Sequence, residues 1–596
     1  MTSRTSCFDR TLFSKTLRRF WPLWTAYLLA WLLALPLPLH IAANSTYLET
    51  ALNVRMQETV YNLLHYLAPF TVLWIAPLTA MAVFGYLYGG KSAGVFASLP
   101  VKREASFLSL TLAGLAPLLA VPVVTAAVAG LVTAANGCFE WTPLLTFVGV
   151  MTLYTLNFYG FAVLCAQLTG LAPIVPVVYM LLSFTAPVVE FIVSVLVAAF
   201  VYGYQGAYIG FGAYLSPFSA IQRFTRVDPI GAKEEMLGWT YHGWGINAIY
   251  AAVGVAMLVL ALLLYRRRRI ETAGDVVAVR PLKKVFSFAL GAGCALVLSM
   301  LLTVIFQAVG NTGVSCFAVA AVGLTVGGFV GYFGAEMLTH KTFRVFGASW
   351  RGFAVLFAVL TVFLCAMRFD VFNLERGLPK AEAVQSVNVN VDGYDATLSQ
   401  RENVEAVLRI NEDVLEHRTD SDLTSLGVRV SYDLGNGRFF ERYYDLVPTS
   451  EGGDEDGLRI EQALSAVFNT DEAITQRFPT DVTKTQFHYT DVNYSTGEDY
   501  YNQTRQLSPE ETYEWYTTCI LPDVADGTLG IAAVGSHEQD SAVYCYVEIY
   551  DEPEMYDGMP YAVENYRSVW IEPTRKSVRT TQWLEAHGVT LKPAES

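Results

Sequence analysis

The chain has 596 residues, is 53% hydrophobic and has a mean hydropathy of +0.36, too apolar for an ordinary soluble protein of this length. Its charge is divided: residues 1–368 carry 23 Lys+Arg against 12 Asp+Glu (net +11), residues 369–596 carry 17 against 42 (net −25), and together they give the overall −14. The first part reads as a membrane protein with basic loops and the second as an acidic, Tyr-rich soluble domain, so a pI near 5.1 describes neither.

At the start, Arg4, Arg10, Lys15, Arg18 and Arg19 interleave with Phe8, Leu12, Phe13, Leu17 and Phe20 at helical spacing, the pattern of a basic amphipathic helix lying in a membrane interface over residues 1–19. The apolar run that follows is Trp-rich and ends in PLPLHIAANS without a convincing cleavage site, which argues against a signal peptide. Nine apolar runs of spanning length are expected, at about 20–42, 63–88, 106–134, 141–166, 173–201, 244–265, 285–307, 314–338 and 352–367. The last is short, with Arg351 and Arg368 placed to snorkel at its ends. With the N-terminus inside, the inside segments carry 18 Lys+Arg and the outside loops 4, and Arg266, Arg267, Arg268 and Arg269 are the strongest topology anchor. Nine spans place the acidic domain, residues 369–596, outside; a count differing by one would place it inside.

Residues 85–107, GYLYGGKSAGVFASLPVKREASF, join the second and third runs. Leu99-Pro100 breaks the helix, and Lys102 and Arg103 mark the cytoplasmic side. The loop has the length of a small helix lying against the membrane and presented to a soluble partner. Further on, the long aromatic, Gly-rich loop 201–243 and the fifth run suggest a re-entrant element. Glu190 has two readings: a carboxylate inside a span, facing a cavity or partner, or an interfacial residue if the span ends near Val188. In the eighth run, Gly323, Gly327, Gly331 and Ala335 recur every four residues, a helix-packing stripe.

The acidic part alternates short strands and helices and reads as α+β. Residues 386–398 read as strand and turn, and Ser399 is expected to cap a helix with Val404, Val407, Leu408, Val414 and Leu415 inward. Residues 428–446 read as a hairpin around Gly435-Asn436-Gly437. Ser508-Pro509-Glu510-Glu511 is a capping box. Cys519 and Cys545 are the only cysteines in this part, and their spacing leaves them a disulfide or two thiols.

Several chemical signatures are set aside. Gly85 through Ser92 matches GxxxxGK[ST], but a phosphate loop needs a buried strand before it and a helix after it in a soluble α/β domain, whereas this one ends a membrane run. Histidines are isolated, neither HExxH nor GxSxG occurs, and no metal-ligand spacing is present. Asp454, Glu455 and Asp456 lack EF-hand spacing and read as a solvated loop.

TLFSKTLRRFWPLW, YLYGGKSAGVFASLPVKREASFLS (with Leu99 to Arg103 on an SLPxxR element), the inner loops RRRRIETAGDVVAVRPLKKVF and GAEMLTHKTFRVF, and the segments NVEAVLRINEDV and SYDLGNGRFFERYYDLV together resemble permease subunits of bacterial ATP-binding-cassette exporters of the ABC-2 type. The likeness is to a Gram-positive group with a large C-terminal extracytoplasmic domain. The chain departs from it at Gly89-Gly90-Lys91, where the group often has two basic residues. The resemblance implies a polytopic α-helical membrane protein with a six-span permease core (residues 20–265), three further spans after a basic loop (266–368) and the α+β domain, in a bacterial cell membrane. It implies no enzymatic site and no cofactor in this chain, with ATP and magnesium held by a separate cytoplasmic ATP-binding subunit. A second permease copy, or a related one, and the lipid bilayer are the other expected partners, and no nucleic acid is expected. Phe96, Leu99, Pro100, Val101, Lys102, Arg103 and Glu104 would form the ATPase-coupling loop, and Glu190 a point on the translocation path. The cargo is unidentified, a peptide antibiotic or lipid-like molecule by analogy. The alternative is a non-transporting sensor whose outer domain binds an envelope ligand or peptide; a membrane enzyme ranks last because no catalytic constellation appears.

Overall fold

The computed structural model describes residues 8–44, 52–98, 100–206, 211–230, 237–279, 281–308, 314–371, 373–391, 394–416, 426–435, 439–446, 455–480, 482, 485–487, 490–494, 503–529, 534, 543–551, 566–571, 573 and 576–589. Among them, nine helical stretches are long and apolar enough to cross a membrane, compatible with a multi-pass membrane protein. The chain forms two compact units, residues 1–193 with 210–363, and residues 194–209 with 364–596.

In the first unit, α1 (Arg10–Arg19) starts at Asp9, whose carboxylate accepts the Leu12 N–H at 2.9 Å. Helices α2 (Trp21–Ala34) and α3 (Pro36–Asn44) form the first apolar stretch, interrupted at Pro36, which lacks a backbone donor. The second stretch combines α4 (Leu52–Asn62), a π-helical turn at Leu63–Leu67 and α5 (Ala68–Val83). It begins eleven residues before the apolar run predicted from 63, because Arg55, Gln57 and Glu58 dilute hydropathy without opposing helix formation. Next come α6 (Gly90–Ala97), α7 (Arg103–Ala135), α8 (Trp141–Leu168) and α9 (Ile174–Phe200).

The chain then forms β1 (Tyr204–Gly206), which belongs to the second unit, before the first unit resumes with α10 (Phe211–Leu215), α11 (Pro217–Phe224) and an antiparallel hairpin of β2 (Arg226–Ile230) and β3 (Gly238–His242). The unit continues with α12 (Trp244–Arg267), α13 (Leu282–Ala308), α14 (Val314–His340) and α15 (Phe346–Arg368). Helix α15 starts at Phe346, six residues before the apolar run expected from 352, while the apolar stretch within it runs over Ser349–Arg368, with Arg351 and Arg368 near its ends.

Helix α8 is the most buried element of the first unit, and α12 crosses it at a pair of glycines. A Cβ on Gly160 would sit 2.2 Å from the Gly254 carbonyl oxygen, so only bare backbones fit. The α13–α14 pair uses the same device. A Cβ on Gly323 would lie 2.7 Å from Ser299 Cα, one on Gly327 2.4 Å from the Cys294 carbonyl oxygen, and one on Gly331 2.7 Å from Cys294 Cβ, while Ala335 is fully buried.

In the second unit, β4 (Ser386–Val391), β5 (Tyr394–Leu398), β6 (Leu426–Asp433) and β7 (Phe439–Leu446) form an antiparallel sheet in the order β1-β7-β6-β4-β5. Alternate residues Val387, Val389, Val391, Val428 and Val430 are buried with Val404, Val407, Ile410 and Val414 of α16 (Arg401–Glu416). The edge strand β1 comes from the segment after α9, with Tyr204 opposite Arg442. Arg442 is fully buried; it donates to the Leu374 and Gly377 carbonyls at 2.6 and 3.2 Å, and its guanidinium lies over the Phe440 ring.

After α17 (Glu455–Phe468) and α18 (Asp471–Arg477), a second sheet contains β8 (Thr485–Phe487), β9 (Thr490–Tyr494), β10 (Gln503–Leu507), β11 (Val543–Asp551) and β12 (Tyr566–Ile571). It accompanies α19 (Pro509–Trp515), α20 (Leu521–Ala525) and α21 (Val578–Ala586). The capping box is present: Ser508 Oγ accepts from Glu511 N–H and Glu511 accepts from Ser508 N–H.

The cap of α16 differs from expectation. Ser399 does not cap its own helix; its N–H and hydroxyl both donate to Glu472 of α18, and the same carboxylate accepts from Gln400 N–H and Asn403. A carboxylate brought in by the fold offers more acceptor capacity than a local hydroxyl and complements the helix N-terminus. Cys519 is a free, buried cysteine, and the side chain of Cys545 lies outside the described residues.

Candidate functional site

The loop between the second and third stretches starts as a 3₁₀ turn, Gly85–Tyr88, and enters α6 at Gly90. Ser92 Oγ folds back onto the Tyr86 and Gly89 carbonyls at 2.9 Å each, and the element preceding the loop is α5, not a strand. This hydroxyl is engaged in the turn and the GxxxxGK[ST] match has no phosphate-loop geometry. Phe96 stacks on Tyr86 with ring centres 4.0 Å apart, and Ala93 is buried, so one side of α6 packs against its own entry turn. The other side carries Val95, 64% exposed, and is followed by exposed Pro100 and Lys102 and half-buried Val101. Leu99 lies outside the described residues.

Arg103 and Glu104, both exposed, are tied to the end of α12. Arg103 donates to the carbonyl oxygens of Arg266 and Arg268 at 3.0 and 3.2 Å, and Glu104 pairs with Arg266 at 2.7 Å. Tyr86 reaches the same place, its hydroxyl 2.7 Å from that of Tyr265. The loop is thus fastened to the end of α12 from both sides of α6.

Two of the four arginines read from sequence as one anchor have separate partners among the described residues. Arg266 holds Glu104. Arg268 donates to the Ala166, Gln167 and Thr169 carbonyls at 3.2, 3.1 and 2.8 Å, serving as the C-terminal cap of α8. Burial lowers the guanidinium's pKa from its ordinary value. Beside it, Gly170 N–H donates to the Asp275 carbonyl at 2.8 Å and Gly274 N–H returns to Gly170 at 2.8 Å, where a Cβ on Gly170 would lie 2.1 Å from the Thr272 oxygen.

Asp275 then bridges Lys283 at 3.1 Å and Lys341 at 2.8 Å. Burial alone would raise its carboxyl pKa, but Lys341 and Lys283 outweigh it and hold the group below the ordinary aspartate range. The segments around 85–104, 166–170, 266–283 and 341 therefore meet at one end of the helices. Tyr86, Tyr265, Gly170 and Asp275 have no motif of their own; only the shared side that the charge count gives these loops hints that they meet.

Glu190 lies ten residues before the end of α9, so the helix does not stop near Val188. Its carboxylate accepts the Gly212 N–H at 2.6 Å, and a Cβ on Gly212 would meet Glu190 Oε2 at 2.5 Å. Within the segment expected to be re-entrant, the described residues 211–230 and 237–242 form two short helices and a hairpin joined to the helical bundle: Thr225 Oγ1 lies 2.9 Å from His65 Nδ1, and Tyr241 bonds Tyr154 and Asn247 at 3.0 and 2.8 Å. Among the described residues, no group of three or more His, Cys, Asp or Glu converges to hold a metal. No protein-family model, curated protein or solved structure shows a significant match to this chain.

Proposed function

We propose that the chain is the membrane subunit of an exporter driven by a separate cytoplasmic ATP-binding subunit, with α6 and the residues after it as the element that receives the push. The observation that carries this reading is the two-sided character of α6: Tyr86, Phe96, Arg103 and Glu104 fasten the loop to the end of α12, while Val95, Pro100 and Lys102 remain exposed. A short helix with an exposed apolar and basic face fits a groove on a soluble partner. Its fastening to the ends of two long helices lets a rigid-body movement of that partner pass into the bundle. Phe96, Arg103 and Glu104 act in this scheme as the fastening, and Val95 and Lys102 as the contact. Glu190 holds the 211–224 segment on α9, where it would border the route of an unidentified cargo.

The test is affinity purification of the full chain in mild detergent with Val95→Asp and Lys102→Glu combined, two positions whose side chains are exposed. The native chain should carry a stoichiometric ATPase subunit and vanadate-sensitive hydrolysis, and the double variant should lose both while keeping its thermal unfolding profile. Undiminished ATPase binding by the double variant would overturn the docking assignment. A native chain without any ATPase, in a detergent shown to preserve such complexes, would overturn the exporter reading.

A further inference from the structure

A cavity opens where the turn after α5, the helix α6, the start of α7 and the end of α12 meet; its wall includes Tyr86, Phe96, Arg103, Tyr265, Arg268 and Arg269. Three of these residues carry guanidinium groups, and no carboxylate lines the cavity. The acid next in sequence, Glu104, is turned to Arg266. Arg103 and Arg268 donate to backbone carbonyls, which satisfies N–H groups without neutralising charge. The Arg269 guanidinium makes no hydrogen bond or ion pair among the described residues. The first turn of α7 adds the positive end of a 33-residue helix with no side-chain cap. Three like charges around one partly enclosed space repel each other, and an anion placed there removes that repulsion.

The level of the cavity along the helices narrows the anion's source. Helix α5 ends at Val83, α7 begins at Arg103 and α12 ends at Arg267, so the cavity sits where long apolar helices leave the hydrocarbon. Aromatic rings concentrate at this depth, and basic pockets between helix ends take anionic headgroups. The geometry points to a binding site for the phosphate of an anionic phospholipid headgroup, with Arg103, Arg268 and Arg269 around the phosphate and the rings of Tyr86 and Phe96 against the glycerol. This assignment does not depend on the exporter reading, and it is tested on this chain alone.

The experiment is native mass spectrometry of the delipidated full chain, titrated separately with phosphatidylglycerol, phosphatidylcholine and inorganic phosphate. Phosphatidylglycerol should bind in preference to phosphatidylcholine. Arg269→Gln should weaken it about 5-fold and Arg103→Gln with Arg269→Gln about 25-fold, from the attraction of roughly one basic residue each. Lys15→Gln with Arg18→Gln, which removes exposed charge from α1, should leave it within about 2-fold. Arg269→Gln removes no bond that the described residues make, so it should unfold at the native temperature. Unchanged phosphatidylglycerol affinity in that folded variant would overturn the site. So would equal binding of phosphatidylcholine, or a loss in the α1 variant as large as in the cavity variant. Retention of inorganic phosphate with displacement of phosphatidylglycerol would assign the cavity to free phosphate and overturn the lipid source.

Discussion

Arg268→Ala is the sharpest test of how the helix ends are held together. The substitution removes donors at 3.2, 3.1 and 2.8 Å from three carbonyls at the end of α8. A hydrogen bond from a charged donor contributes about 1.5–3 kcal/mol net. The three share one guanidinium and water enters as the side chain leaves, so the expected loss is about 3 kcal/mol, below the simple sum. For a unit of this size, with an unfolding entropy of about 0.7 kcal/mol/K, that lowers the unfolding midpoint by about 4 °C. Arg268→Lys places one compact ammonium where a planar fork reached three acceptors, and should recover only about a third of the loss. The neighbouring Arg269→Ala removes no bond among the described residues and should shift the midpoint by less than about 1 °C. Intrinsic tryptophan fluorescence on heating, in lipid-free detergent, reads all three variants. Equal midpoints for Arg268→Ala and Arg269→Ala would refute the capping role, because the two side chains carry the same charge and only Arg268 donates to the end of α8.

Two further perturbations probe packing and the acidic domain. Gly327→Ala should destabilise the α13–α14 pair by about 1–3 kcal/mol, since its Cβ would meet the Cys294 backbone at 2.4 Å, whereas Gly334→Ala, with nothing within 4 Å, should be neutral or stabilising; cross-linking of cysteines introduced into the two helices compares them. Glu472→Ala should cost about 1 kcal/mol and speed hydrogen exchange in the first turn of α16. Burial alone would raise the Glu472 carboxyl, but the Ser399, Asn403 and Gln400 donors outweigh it and hold it below the ordinary glutamate value. A depressed folded value means its contribution is complete above about pH 4.3 and fades as pH falls through the folded value, so the difference between native and variant exchange should stay constant from pH 6 to 8 and shrink below about pH 4. A difference that grows on acidification would contradict the cap.

Local chemistry made much of the architecture readable. A run of some twenty apolar residues has one stable form in lipid, so helices appear where hydropathy placed them, with errors at ends such as Leu52 and Phe346, where polar or short segments continue the helix. Strand alternation over residues 386–391 and 428–433 and the Ser508–Glu511 capping box were legible for the same reason, each being set by neighbours a few residues away. The site was half legible: the 85–104 loop stood out by its Gly, Pro and basic residues, but which of them face outward did not.

Pairings between distant residues were decided only by the tertiary structure. Arg266 and Arg268 belong to one run of four arginines, yet one holds Glu104 and the other the end of α8. Glu472 takes the cap expected of Ser399, from 73 residues away. Tyr204 joins the sheet of the acidic domain opposite Arg442, although it follows an apolar run and precedes the domain's own residues by more than 150 positions. Periodicity fixes which face of an element is apolar, but not which other element meets it. That choice depends on the close approaches at Gly160, Gly170 and Gly254 and on buried donors finding acceptors, conditions that only the assembled fold imposes.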